Sequence, residues 1–351
     1  MLYRKILKPI LFRFDPEKVH DLFIWKGEFL GKYALTRKIV DIVYGYHGKD
    51  ISKTVDGIKY RTPIMLSAGF DYNGKLTQIL PSIGFGGEEI GSITAYPCEG
   101  NPTPRLTRLL KSKSIIVNKG LRNDGVDKII ERIKSKTRIP GFVLGISIAR
   151  TNNAKSVPIQ AGIEDYMYSF RRLNEENIGD YYTINISCPN SFGGEAFTTP
   201  ELLDRLLSSI KTIKCSKPVY VKMPINIPWD QFKSLLDIIK KNKINGVIIG
   251  NLNKDYSSLD AKNEAPYNFK GGLSGKPCTH PSTFLIGKTR EYCGNSLTII
   301  GCGGIMSGDT AMEKFSAGAD LIHIITGMIF EGPGLVRRIL KKYQCEKNAS
   351  V

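Results

Sequence analysis

Two periodicities divide this chain near residue 50. Leu2, Ile6, Ile10, Leu11 and Phe14, then Val19, Leu22, Phe23, Trp25, Phe29 and Leu30, recur at close to helical spacing. Pro9 interrupts the series, and Asp15-Pro16 marks a fresh helix start, because proline's fixed φ suits a first helical turn. The stretch predicts two or three short amphipathic helices with basic polar faces. Their apolar faces either rest in a membrane interface or pack on the rest of the chain, and periodicity does not separate the two. From Lys59 onward, short apolar runs alternate with helical stretches, the pattern of a parallel sheet. Strands are predicted near 64–68, 87–93, 142–148, 181–187, 218–223, 246–250, 297–301 and 320–325. Helices are predicted over 124–135, 162–174, 200–212, 229–242, 281–292, 308–317 and 334–343. Such an alternation predicts an α/β fold closed as a (β/α)8 barrel. An open dinucleotide fold would want a GxGxxG turn after its first strand; Gly84-Phe-Gly-Gly87 leads into a strand instead. Residues 46–345 are assigned to the barrel, 1–45 to the helical extension and 346–351 to a tail.

Polar residues concentrate where these strands end. Tyr182-Thr-Ile-Asn-Ile-Ser-Cys-Pro-Asn190 starts as a buried strand and stops at Pro189, leaving Asn185, Ser187, Cys188 and Asn190 at its carboxyl end. Open and closed α/β folds carry their chemistry at that end. Carboxamides offer donors and acceptors to a planar polar ligand, and the thiol between them can move a proton. An isolated cysteine after a strand is usually a structural core residue, but a dry core would have to satisfy the flanking amides. An ordinary thiol sits near pKa 8.5, and Lys222 with the basic loop at Lys119 is expected to bring it down (about 8.5 being the unperturbed value).

Other strand ends repeat the theme. Ala68-Gly-Phe-Asp-Tyr-Asn-Gly74 follows the first strand, where glycine lets backbone approach a flat ring. Asn118 ends a long connection, Lys222 ends the fifth strand and Asn251 the sixth, and Gly271-Gly-Leu-Ser-Gly275 is placed in the loop after it. Gly301-Cys-Gly-Gly304 and Thr326-Gly327 follow the last two strands. Barrels hold phosphate at these two loops, with free backbone N–H groups and a helix dipole facing the anion.

Composition narrows the function. The 351 residues suit a barrel of about 250 residues with an extension. A formal charge of +17 favours anionic partners: a phosphorylated cofactor, an acidic membrane face or nucleic acid. No basic helix with interleaved aromatics occurs, so nucleic acid is not expected. Seven cysteines without a CxxC pair point to a reducing compartment, and no zinc or iron–sulfur spacing is present. No apolar stretch is long enough to span a bilayer, and the start lacks the cleavage pattern of a signal peptide.

Asn185-Ile-Ser-Cys-Pro-Asn190, Gly271-Gly-Leu-Ser-Gly275, Ile300-Gly-Cys-Gly-Gly-Ile305, Ala317-Gly-Ala319 and the Asp15-Pro-Glu-x-x-His20 segment together resemble dihydroorotate dehydrogenases. The likeness runs from Phe14 to Pro333 and is greatest to the membrane-associated, quinone-reducing class. It implies a flavin mononucleotide (FMN) enzyme of pyrimidine synthesis on a TIM barrel, with residues 1–45 as a membrane and quinone-access unit on the inner face of a membrane. Flavin contacts would fall on Ala68, Gly69, Ser92, Asn185, Lys222, Gly275, Gly304, Ile325 and Thr326. Substrate contacts would fall on Asn118, Asn185, Asn190 and Asn251. Cys188 would be the base that takes a proton from C5 of dihydroorotate while a hydride leaves C6 for flavin N5; quinone would then reoxidise the flavin. The chain departs from that pattern in four places. Cys188 matches the soluble classes rather than the usual serine. Tyr72 stands where a lysine is expected, with Lys75 and Lys119 as the nearest replacements. Ser147 and Leu252 replace an asparagine and a threonine. A related flavin barrel using another planar amide, or a soluble acceptor such as fumarate or NAD, and a barrel that merely binds flavin are the competing readings.

Overall fold

A computed structural model describes residues 3–190 and 192–349; Met1 and Leu2, Ser191 and the last two tail residues, 350 and 351, lie outside them. A π-helical turn (Tyr3–Leu7) runs into α1 (Lys8–Leu11), followed by α2 (Pro16–Lys32) and α3 (Ala34–Tyr44). As the Asp-Pro pair predicts, Asp15 caps α2 by accepting from the Lys18 backbone N–H, with Pro16 at the first helical position. A hairpin of β1 (Lys53–Val55) and β2 (Ile58–Tyr60) then leads into β3 (Ile64–Leu66) and β4 (Gly87–Ile93). Next come β5 (Leu106–Leu109), β6 (Ser114–Val117), α4 (Val126–Lys134), β7 (Val143–Ile148), α5 (Ile159–Glu175), β8 (Tyr181–Asn185), α6 (Pro200–Lys211) and β9 (Val219–Met223). The chain continues through α7 (Trp229–Lys241), β10 (Gly246–Ile249), β11 (Gly272–Gly275), α8 (Thr279–Cys293), β12 (Thr298–Cys302), α9 (Gly308–Ser316) and β13 (Leu321–Ile324). It closes with α10 (Thr326–Glu331) and α11 (Gly334–Ala349). Residues 346–349 of the expected tail thus continue the last helix.

Eight parallel strands close the barrel in the order β3-β4-β7-β8-β9-β10-β12-β13, with β13 returning to β3. All eight are strands predicted from the sequence. They are legible because their β-branched runs are buried on both faces, as a sheet covered by helices requires. Five further strands were not predicted. The β1–β2 hairpin brings Val55 and Tyr60 into the cluster that fills the barrel interior, with Tyr181, Tyr220, Ile248, Ile300 and Leu321. The three-stranded antiparallel sheet β5-β6-β11 stands beside the barrel mouth. Gly272–Gly275 is therefore a strand paired with β6, not the loop expected. Leu109, Ile116 and Leu273 form a small core on one side of this sheet, while Leu106, Arg108, Ile115 and Val117 face a cavity on the other.

Above the apolar plug lies a polar layer built by strict alternation. Glu89 of β4, Thr183 of β8, Lys222 of β9 and His323 of β13 are all buried. Thr183 donates to Glu89 Oε2 at 2.7 Å, and the Tyr181 hydroxyl reaches the same oxygen at 3.3 Å. Gly145 on β7 makes room for that phenol: a Cβ there would lie 2.1 Å from Tyr181 Cζ. Burial raises the Glu89 pKa, opposed by the Lys222 charge and the two hydrogen bonds. Burial likewise lowers His323, to about 3, with Lys222 adding to the effect, so its ring is neutral.

Candidate active site

The carboxyl ends of the barrel strands open into a cavity of about 440 Å³. Ala68, Gly69, Ser92, Asn185, Cys188, Asn190, Lys222, Asn251, Gly275, Gly304, Ile325 and Thr326 all line it. Asn118 alone among the expected residues does not. In the extended segment after β6, Val117 and Lys119 face the cavity and the side chain between them points away, as the pleat dictates. Its amide oxygen accepts from Asn101 Nδ2 at 2.8 Å instead.

A chain of hydrogen bonds fixes the polar wall. A register shift between Ile90 and Ile93 interrupts the alternation of β4 and turns Ser92 inward. Its hydroxyl pairs with Ser147 at 2.6 Å and accepts from Asn185 Nδ2 at 2.8 Å. Asn185 Oδ1 accepts from the Ser187 backbone N–H at 3.2 Å, and Asn251 Nδ2 donates to the Ser187 hydroxyl oxygen at 2.7 Å. Ser187 also donates to the Lys222 carbonyl at 2.9 Å, which makes this unassigned serine the joint between β8, β9 and the end of β10. Asn190 Nδ2 donates to the Val117 carbonyl at 2.8 Å, tying the segment after Cys188 to the side sheet. Every carboxamide is thus held in one orientation before any ligand arrives.

Cys188 sits within this wall, and its thiol is not lowered as expected. Burial pushes its pKa up to about 11, against smaller opposing pulls from the Asn190 backbone N–H and the Lys222 charge. Lys119, whose ammonium bonds Glu17 of α2 at 2.7 Å, is not among the charges that lower the thiol. Lys75, the other expected replacement for a lysine at position 72, pairs with Glu28 at 3.6 Å and does not line this cavity.

The opposite rim carries the glycine turns. Gly69, at φ +102°, has no atom nearer than Ile325 Cδ1 (3.7 Å) to the place of a Cβ, so any side chain there would project into open cavity. Gly304, at φ +72°, lies so close to the start of α8 that a Cβ would meet Thr279 backbone at 2.4 Å. Thr326 Oγ1 donates to Ser274 Oγ at 2.8 Å, joining α10 to β11 across the rim. A flat ring above Gly69, with an anionic tail towards Gly304 and Thr326, fits these openings.

The far end of the cavity has a different character. Leu11, Phe12, Val19, Phe23 and Leu30 of the N-terminal helices line it, with Val40 and Tyr44 of α3. Arg108 closes that end, donating to the Phe14 carbonyl at 2.8 Å and lying 4.6 Å from the Phe12 ring centre. His20, which the sequence marks only as the end of the Asp-Pro-Glu-x-x-His segment, also lines the cavity, with its Nε2 2.8 Å from the Phe70 carbonyl and its ring against Tyr72. It sits where apolar and polar ends meet.

The family model described as "Dihydroorotate dehydrogenase" matches residues 50–345. A protein of Christiangramia forsetii is 34% identical over 348 residues, 97% of this chain and 98% of its own, and is named dihydroorotate dehydrogenase (quinone). A protein of Aliivibrio fischeri with the same name is 37% identical, over 97% of this chain and 99% of its own. The chain belongs to the dihydroorotate dehydrogenase family. In fold it also matches a crystal structure of the Eimeria tenella DHODH in complex with ferulenol, with a TM-score of 0.81 at 24% identity, covering 96% of this chain and 92% of that one. Members of the family are flavoproteins, in keeping with the opening above Gly69. Two of the departures from the family pattern, Tyr72 and Leu252, face the cavity, while Ser147 stands behind Ser92.

Proposed function

We propose that this chain is an FMN-dependent dihydroorotate dehydrogenase that oxidises dihydroorotate to orotate and passes the electrons to a quinone. One observation carries the reading: a single cavity has fixed carboxamides and a thiol at one end and an apolar passage between helices at the other. A polar heterocycle suits the first end and a quinone the second. Ala68, Gly69, Ser92, Asn185, Lys222, Gly275, Gly304, Ile325 and Thr326 would hold the flavin, which when bound supplies the acceptor for the substrate's hydride. Asn185, Asn190 and Asn251 orient the substrate, with Asn118 bracing the wall through Asn101. Cys188 as thiolate removes the C5 proton, and the apolar surroundings that raise its pKa also make it a stronger base once ionised.

Residues 1–45 act in this reading as the quinone-access unit and as the contact with a membrane. No helix among the described residues is long and apolar enough to cross one. Instead α2 and α3 are apolar on two sides. Val19, Phe23 and Leu30, with Val40 and Tyr44, face the cavity, whereas Leu22, Trp25, Phe29, Leu35, Ile39, Ile42 and Val43 are exposed. Such a second stripe suits a helix lying in the interface of the inner, cytoplasmic face of a membrane. Anaerobic mixing tests the reading. The purified protein should be yellow, be bleached by dihydroorotate, and recover its colour with a quinone analogue. Recovery with fumarate or NAD but not quinone would assign the soluble acceptor that the cysteine at position 188 resembles. A colourless protein that takes up no FMN would end the proposal.

A further inference from the structure

The substrate of this reading, on which the inference rests, is an anion, and its carboxylate enters a cavity with mostly apolar walls. It must meet a cation there or leave its charge unpaired. Position 72, where the resemblance expects a lysine, is Tyr72. Burial raises the pKa of this phenol, so it is neutral. Lys26 is exposed, and Arg108 is bound at the apolar end. Lys222 lies below the carboxamides, opposite Asn185 in the β8–β9 register, with its charge directed on Glu89 and His323. Lys119 remains.

Its side chain lies on the cavity side of the extended segment after β6, 6% exposed, with the ammonium 5.3 Å from the Tyr72 ring centre. Asn190, expected to hold the substrate, donates to Val117 two residues away. An ammonium has three N–H donors. One goes to Glu17, and no other hydrogen bond of this ammonium is present among the described residues. Glu17 cannot neutralise its surroundings, because Arg122 at 3.1 Å and Arg105 at 3.7 Å share the same carboxylate. Arg105 Nε is itself buried without a hydrogen bond. Three cations share Glu17 and, through Arg122, Asp21 at 3.4 Å, which leaves one positive charge in excess at the polar end of the cavity. We propose that Lys119 binds the carboxylate of the substrate, replacing from the side sheet the cation that position 72 lacks, and that Glu17 of α2 holds its ammonium in place.

Calorimetric titration of the flavin-loaded protein with orotate and with its uncharged primary amide tests the assignment. K119M should weaken orotate about tenfold to a hundredfold, the size of one charged hydrogen bond, and leave the amide almost unchanged. A loss below about fivefold, or an equal loss for both ligands, would overturn it. Should K119M fail to retain flavin, K119R decides, since its guanidinium keeps the charge: a preserved preference for the acid supports the role, and equal affinity for acid and amide refutes it. If the parent protein binds neither ligand, the function proposed above has failed, and this role falls with it.

Discussion

Helix α7 and helix α3 are of similar length and both amphipathic, yet they solve different problems. Phe232, Leu235, Leu236 and Ile239 of α7 are fully covered by the barrel. No residue of α3 is buried, and Leu35, Ile39, Ile42 and Val43 recur at helical spacing on its outer side. The barrel helices satisfy their apolar stripe within the chain. The N-terminal helices satisfy half of theirs on a cavity and leave the other half facing outward. A chain under selection for packing alone would place polar residues there. In the proposed function the barrel supplies the chemistry and the rigid frame, and the extension adds two apolar surfaces, one facing the cavity and one facing outward.

That division can be broken most severely at Cys188. If proton removal belongs to the barrel end, C188A should keep its flavin and slow reduction by dihydroorotate about a hundredfold to ten-thousandfold in anaerobic stopped flow; an unchanged rate would move the base elsewhere. Next in size is the contrast in stability. Leu236→Ala should cost about 2–5 kcal/mol in denaturant unfolding. Leu35→Ala, at a site 70% exposed, should stay within about 0.5 kcal/mol. Equal costs would show that α3 packs as tightly as α7.

The pH profile sharpens the first point. With the Cys188 thiol raised to about 11, the thiolate fraction grows as protons are removed. The reductive rate should therefore climb by about tenfold per pH unit from about pH 7 to about pH 9 and fall correspondingly towards acid. A plateau near neutrality would mean that a bound ligand lowers the thiol. The smallest effect is expected on the outer stripe. Trp25→Ser should weaken partition to anionic vesicles about fivefold, near 1 kcal/mol of lost apolar contact, without changing reduction of the flavin. Unchanged vesicle binding would remove the membrane from the account of that surface.

The barrel was legible because most of its strands are mainly apolar runs such as Gly246-Val-Ile-Ile249, buried on both faces and alternating with helical stretches. The side sheet was not. Gly272-Leu-Ser-Gly275 has two glycines in four residues, and prolines crowd the approach to β5, so local preference argued against strands that tertiary pairing nevertheless made. That sheet decides which of Asn118 and Lys119 faces the cavity, a question of pleat parity that composition cannot answer. Most of the wall was readable as polar residues at strand ends. Ser187, an ordinary turn residue by sequence, became its joint only when β8, β9 and the end of β10 were brought together. The rise in the Cys188 pKa was hidden for the same reason, since desolvation belongs to the assembled mouth and not to the residues around the thiol.

One missing methyl group on β7 reaches further than its size suggests. Without a Cβ at Gly145, the Tyr181 ring lies flat enough for its hydroxyl to stand between Glu89 and His323, at 3.3 and 3.5 Å. An alanine there would lever that phenol aside and leave a carboxyl and an imidazole facing each other beneath Lys222. The electrical setting of the chemistry would then be retuned from below by a position that no substrate ever touches.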